Sequence, residues 1–188
     1  MRAGTLKYRG SIQTLTQTRT AAGELSESWA HATWWHCAVT PLSGEELITA
    51  QQLEARTSHR VDMRPYPQLD PRIHRFQVPA TGRVTTLAAA ITTVDGTEIT
   101  VSAAGLFPES ASPAAGDFDI RIEDEILTVT AGHGTTTWTV TRGVHGTTAA
   151  VHASGAAVEL LRTLYPGAPP QVAGLAGEAQ MVLCREVR

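Results

Sequence analysis

Residues 34–37 read Trp-Trp-His-Cys, two indoles beside an imidazole and a thiol. Such a set suits an aromatic ligand cage, a transition-metal site or a Cys/His nucleophile pair, or it is simply part of a strand. Spacing helps to separate these readings. In a strand, side chains alternate, so Trp35, Cys37 and Val39 share one face while Trp34, His36 and Ala38 share the other. His36 and Cys37 then point in opposite directions, which disfavours a base activating a thiolate. The second cysteine, Cys184, is remote and without CxxC spacing, so neither a zinc ribbon nor a disulfide framework is indicated.

Other residues with chemical potential give weaker patterns. His133, His145 and His152 are spread irregularly over Gly/Thr-rich stretches, unlike a metal motif. The acids Asp117, Asp119 and Glu123–Glu125 lack the spacing and glycine of a calcium loop and read as a solvated hairpin edge. Trp138 lies at the centre of an alternating TWTVT run, where a core role outweighs a sugar-stacking one. No GxSxG, HExxH or phosphate-binding glycine loop is present. The expectation is a protein without catalytic residues, cofactor or metal.

Short elements must position these residues. TWWHCAV is a strand ending at Pro41, and Ser43-Gly44-Glu45-Glu46 has the form of a capping box opening a helix over about Gly44 to Ala55. TSHRVDMRPY turns Val61 and Met63 inward, PQLDP is a turn, and RIHRFQV is a further strand. Farther on, TEITVS, FDIRI, EILTVT, TWTVT and AAVEL are extended runs separated by Gly, Pro or acidic turns. LYPGAPPQVAGLAG is a Pro/Gly-rich connection, and EAQMVLCREV is a last strand, apolar on both faces. The fold class expected is mainly β, a small barrel-like domain with one α-helix plus an inserted all-β domain.

Composition marks the insert. Residues 85–160 hold nine acids against Arg121 and Arg142, a formal −7, whereas the remainder of this 188-residue chain is +4. The segment is also dominated by Thr, Ala and Gly. Two modules follow: a discontinuous domain over 1–84 and 161–188, and an inserted domain over 85–160. The net charge of −3 argues against a dedicated nucleic-acid binder. No apolar run reaches the roughly 20 residues of a membrane helix, and MRAGTLKYRG lacks a signal-peptide core, so synthesis in the cytosol and no membrane partner are expected.

Several motifs occur in an order that resembles the phage head-tail joining family, the head-closure or stopper proteins of long-tailed phages. They are MRAGTLKYRGSIQ, the W–A/V–TPLSGEEL segment, TSHRVDMRPY, PRIHRF and the closing VLCREV. The W–A/V segment is one residue longer than the family pattern, which leaves open whether Trp35 or His36 takes the family's aromatic position. A larger departure follows Gly82-Arg83, where 76 residues intervene before the last part of the domain. Within them, EILTVTAGHGTTTWTVTRGVHGTTAAVHASGAAV resembles a small β-module of phage structural proteins.

The resemblance implies a homo-oligomeric ring at the virion neck, assembled in the host cytoplasm. A hexamer is the first expectation and a dodecamer the second. The implied partners are a portal or adaptor ring on the head side and a tail terminator or tail tube on the other, with phage DNA passing through the lumen unread. An adaptor or tail-terminator role, or glycan binding by the insert, are the alternatives. Interface candidates are Trp34 and His36 on the strand face away from Cys37, and the cations Arg56, Arg60, Arg64, Arg72 and Arg75. Salt bridges between subunits or to adjoining rings are favoured for these arginines over DNA contacts. Tyr165, Pro166, Pro169 and Pro170, in a stiff extended connection, and the 66–72 turn are candidates for projecting into the channel or onto a neighbouring ring, with a plain linker returning from the insert the equal alternative for the Pro-rich stretch.

Overall fold

The computed structural model describes residues 5–21, 23–53, 56–108, 116–167, 171–173 and 179–186. In chain order the elements are β1 (Tyr8–Arg19), β2 (Leu25–Pro41), α1 (Gly44–Leu53), β3 (His59–Met63), β4 (His74–Thr86) and β5 (Glu98–Thr100). They continue with β6 (Phe118–Ile122), β7 (Glu125–Ala131), β8 (Thr137–Thr141), β9 (Ala157–Pro166), β10 (Gln171–Ala173) and β11 (Ala179–Glu186). The chain is mainly β with one α-helix, and it divides into two compact units, Met1–Val78 with Thr163–Arg188, and Pro79–Arg162. No described helix is long and apolar enough to cross a membrane.

In the first unit, β1 and β2 form a long antiparallel hairpin, β4 flanks β1, β3 flanks β2, and β11 pairs with β3, β10 and the end of β9. Since β9 is also β4's neighbour in the strand order, β4, β1, β2, β3, β11 and β9 follow one another in a barrel-like ring. Its interior holds Ile12, Cys37, Val61, Met63, Phe76, Val78, Leu164, Val182 and Cys184. Val61 and Met63 point inward because β3 alternates buried and half-buried positions, as a strand covered on one side does. Gly10 is required where β1 and β4 approach: a Cβ there would lie 2.8 Å from Val78 Cγ1 and 3.0 Å from the Gln77 carbonyl.

The helix begins where the sequence places it, but not as a capping box. Gly44 is left-handed, at φ 58°, and the Glu46 carboxylate accepts from Arg60 Nη1 at 2.8 Å instead of folding back. Glu54 and Ala55, the expected end of the helix, lie outside the described residues.

In the second unit the strand order is β9-β6-β7-β8-β5. Phe118, Ile120 and Ile122 alternate with Asp119 and Arg121, so β6 buries one face. The core packs Phe107, Phe118 and Trp138 together, with the Trp138 ring 5.0 Å from Phe107 and edge-on to Phe118 at 5.8 Å.

Candidate functional site

The face of β2 bearing Trp34 and His36 is set by register. Ser11 pairs with Trp34 and Arg9 with His36, while Cys37, buried, and Trp35 and Val39, partly so, turn to the barrel interior. His36 is therefore exposed on the side opposite Cys37, and neither cysteine forms a disulfide. The Arg9 guanidinium lies 5.1 Å over the Trp34 ring, and His31 lies 4.7 Å from it. His31 reaches that side because of a bulge: Ile12 pairs with Thr33 but Gln13 with His31, leaving Ala32 as the extra residue. A bulge reverses the alternation, so Trp29 and His31 join Trp34 and His36 on one face despite the difference in parity.

On that face Arg75 is buried instead of reaching a neighbour. Its Nε donates to Gln13 Oε1 at 2.7 Å, Gln13 Nε2 donates to Gln77 Oε1 at 2.7 Å, and Arg75 Nη1 donates to the Tyr165 hydroxyl at 3.1 Å. The guanidinium lies 4.5 Å over Trp29, whose ring meets Tyr165 edge-on. Arg75→Ala removes hydrogen bonds from a charged donor and a buried cation–π contact, so an unfolding titration is expected to show a loss of about 2 kcal/mol. Arg75→Lys should recover less than half of it, because an ammonium lacks the planar fork. Unchanged stability in both variants would contradict the clamp.

The remaining interface candidates divide. Arg60 is held by Glu46 at 2.8 Å and Asp62 at 3.0 Å, a surface network of small energetic weight. Arg56, Arg64 and Arg72 are exposed, with no side-chain ion pair among the described residues. Tyr165 and Pro166 close β9, paired with Arg185 and Cys184, so they are strand residues and not the start of a loop. Pro169 and Pro170 lie outside the described residues. The 66–72 turn is anchored: Tyr66 donates its backbone N–H to Gln180 Oε1 at 2.8 Å and packs edge-on to Trp35, and Leu69 is buried. Beside Trp35 a groove of about 490 Å³ opens, bordered by Leu6, Trp34, Trp35, His36 and Arg64.

The second unit holds an ionic cluster that the sequence reading placed in solvent. Glu125 is buried at 1% exposure, not part of a solvated edge. Its Oε1 accepts from Arg142 Nε at 2.7 Å and the Gly143 N–H at 3.0 Å, and its Oε2 accepts from Arg142 Nη2 at 2.7 Å and the Ala150 N–H at 3.0 Å. His152 Nε2 lies 2.8 Å from Glu125 and its Nδ1 2.9 Å from Glu123, so both ring nitrogens face carboxylates. Burial alone would raise the Glu125 pKa, but these donors outweigh it and hold the carboxyl below its ordinary value. His145 is likewise spent on Asp119, at 2.8 Å. No group of three or more potential metal ligands forms among the described residues. Trp138 is fully buried, its Nε1 donating to the Thr135 carbonyl at 2.7 Å, which removes it as a sugar-stacking platform and leaves the glycan alternative without its residue.

What these elements present, then, is surface and buried polar anchoring. Residues 1–84 match the phage head completion protein family. No curated protein matches the chain.

Proposed function

We propose, from the match of residues 1–84 to the phage head completion protein family, that this chain is a structural virion protein that closes the DNA-filled head and supplies the surface on which the tail docks. It works by assembly. Copies form a ring at the neck, between the portal or adaptor ring and the tail terminator or tail tube, with a hexamer favoured over a dodecamer. Phage DNA traverses the lumen without sequence-specific contact.

The family match is the observation that carries this reading. It spans the β1–β2 hairpin, α1, β3 and all of β4 but its last two residues, the segment that carries Trp34, His36 and the exposed arginines. Charge is consistent with it. Every phosphate neutralised by Lys or Arg adds salt-dependent affinity, hence drag on DNA that has to leave, and the chain's formal charge is −3. The acidic inserted unit decorates the outside of the ring, where like charges on adjacent copies stay solvated.

Disrupting the gene in the phage that encodes it tests this role. Cells should then accumulate packaged heads that lose DNA and separate, finished tails, and protein supplied in trans should restore joining. Normally joined, infectious particles without the protein would overturn the proposal.

A further inference from the structure

Two exposed features of the β1–β2 ribbon bear on how copies meet. The first is its far end. β4 pairs with β1 over Ser11–Thr14 and β3 with β2 over Cys37–Pro41, so among the described residues the outer strands, Thr16–Arg19 and Leu25–Ser28, pair with each other alone. Every residue of those two stretches is exposed, and Leu25, between Glu24 and Glu27, is 62% so. A two-stranded ribbon without a third strand is marginal in water, and its open edges favour a partner.

The second feature is the groove. Among the described residues β3 pairs with β2 over Cys37–Pro41, and the groove forms alongside the next stretch, Trp34–His36. Its apolar walls are Leu6, Trp34 and Trp35, and its polar groups are a guanidinium, Arg64, and an imidazole, His36, with no carboxylate among the described lining residues. Protrusion and hollow are complementary: an exposed leucine flanked by two carboxylates, and an indole-walled cavity flanked by basic groups. Arg19, across from Leu25, is the arm's one cation.

Ten strand residues separate Leu25 from Trp35, about 33 Å at the usual rise of about 3.3 Å per residue, too far for the arm to fill its own groove. Different, mutually complementary patches at two places on one chain make a head-to-tail contact, which closes into a ring when the rotation allows. We propose that the Leu25 end of one copy's arm seats in the Trp34–Trp35 groove of the next copy, with Glu24 and Glu27 against Arg64 and His36. This rests on the ring reading above and names its subunit contact.

Paired cysteines test it in full-length protein, in assembled necks. Leu25→Cys combined with His36→Cys should give, on mild oxidation, a ladder of covalent multimers up to the ring number, because the two sites cannot meet within one chain. Each single variant should give none. Cys37 and Cys184, 4% and 0% exposed, stay out of the reaction. Leu25→Asp should keep the monomer's unfolding midpoint, since Leu25 is exposed, while preventing ring formation. Closed rings without a ladder, and rings intact in Leu25→Asp, would overturn the arm contact and leave the ring reading standing. Necks in which the protein forms no ring would overturn both.

Discussion

Glu125→Ala is expected to cost the Pro79–Arg162 unit about 3–5 kcal/mol, because it strands Arg142 and His152 in a water-poor site without their carboxylate. Their side chains are 6% and 1% exposed, and the carboxylate also takes the Gly143 and Ala150 N–H groups that hold the 142–152 segment. Thermal or denaturant unfolding of the full chain reads the loss directly, and a change below about 1 kcal/mol, the level of an exposed pair, would contradict the role. The loss in Glu125→Ala/Arg142→Ala should fall short of the sum of the single losses, since the two residues share one network. Acid should act through the same group. The folded carboxyl is held below its ordinary pKa of 4.5, so in that window the unfolded chain binds more protons than the folded one. The contribution of Glu125 is therefore fully present above about pH 4.5 and declines as pH falls from there through the folded pKa. A Glu125→Gln variant should lose stability less steeply in acid, and an unchanged slope would contradict the assignment.

Trp138→Ala is expected to destabilise the same unit by about 3–5 kcal/mol, the range for emptying a large aromatic site in a packed core. Phe107 and Phe118 lose a shared neighbour, and the Thr135 carbonyl loses its donor. Trp138→Phe should recover most of the packing but not the hydrogen bond, leaving a deficit of about 1–3 kcal/mol. Wild-type unfolding in the alanine variant would mean that the indole is not the core residue described.

Much of the architecture was legible because period-two patterning is local. Val61 and Met63 in β3, Phe118, Ile120 and Ile122 in β6, and Trp138 within TWTVT all reveal their buried faces by alternation with polar residues. The Cys37 side of the Trp-Trp-His-Cys stretch follows from the same rule. What was hidden depended on partners distant in sequence. The bulge at Ala32 has no side-chain signature, so alternation carried back from Trp34 puts Trp29 on the wrong face. Arg75 looks like any strand arginine until Gln13, Gln77, Trp29 and Tyr165 are brought around it. Glu125 looks solvated among Glu123 and Asp124, and the Arg142 and His152 that surround it lie 17 and 27 residues downstream. Ser43–Glu46 has the right spacing for a capping box, yet the Glu46 carboxylate accepts from Arg60 and not from the Ser43 N–H.

The surface follows a similar division. Arg60 and Arg75, equal in the sequence to Arg56, Arg64 and Arg72, are engaged within the chain, whereas the latter three are exposed. Together with the groove beside Trp34–His36 and the arm beyond Leu15, they lie within the segment that carries the head completion match, where the proposed assembly surface is placed.

Direct imaging of the neck in particles carrying a label on the inserted unit tests the central claim. A closed ring of this protein between portal and tail, with the label on its outer rim, is the predicted result, and its absence from the neck would contradict the account.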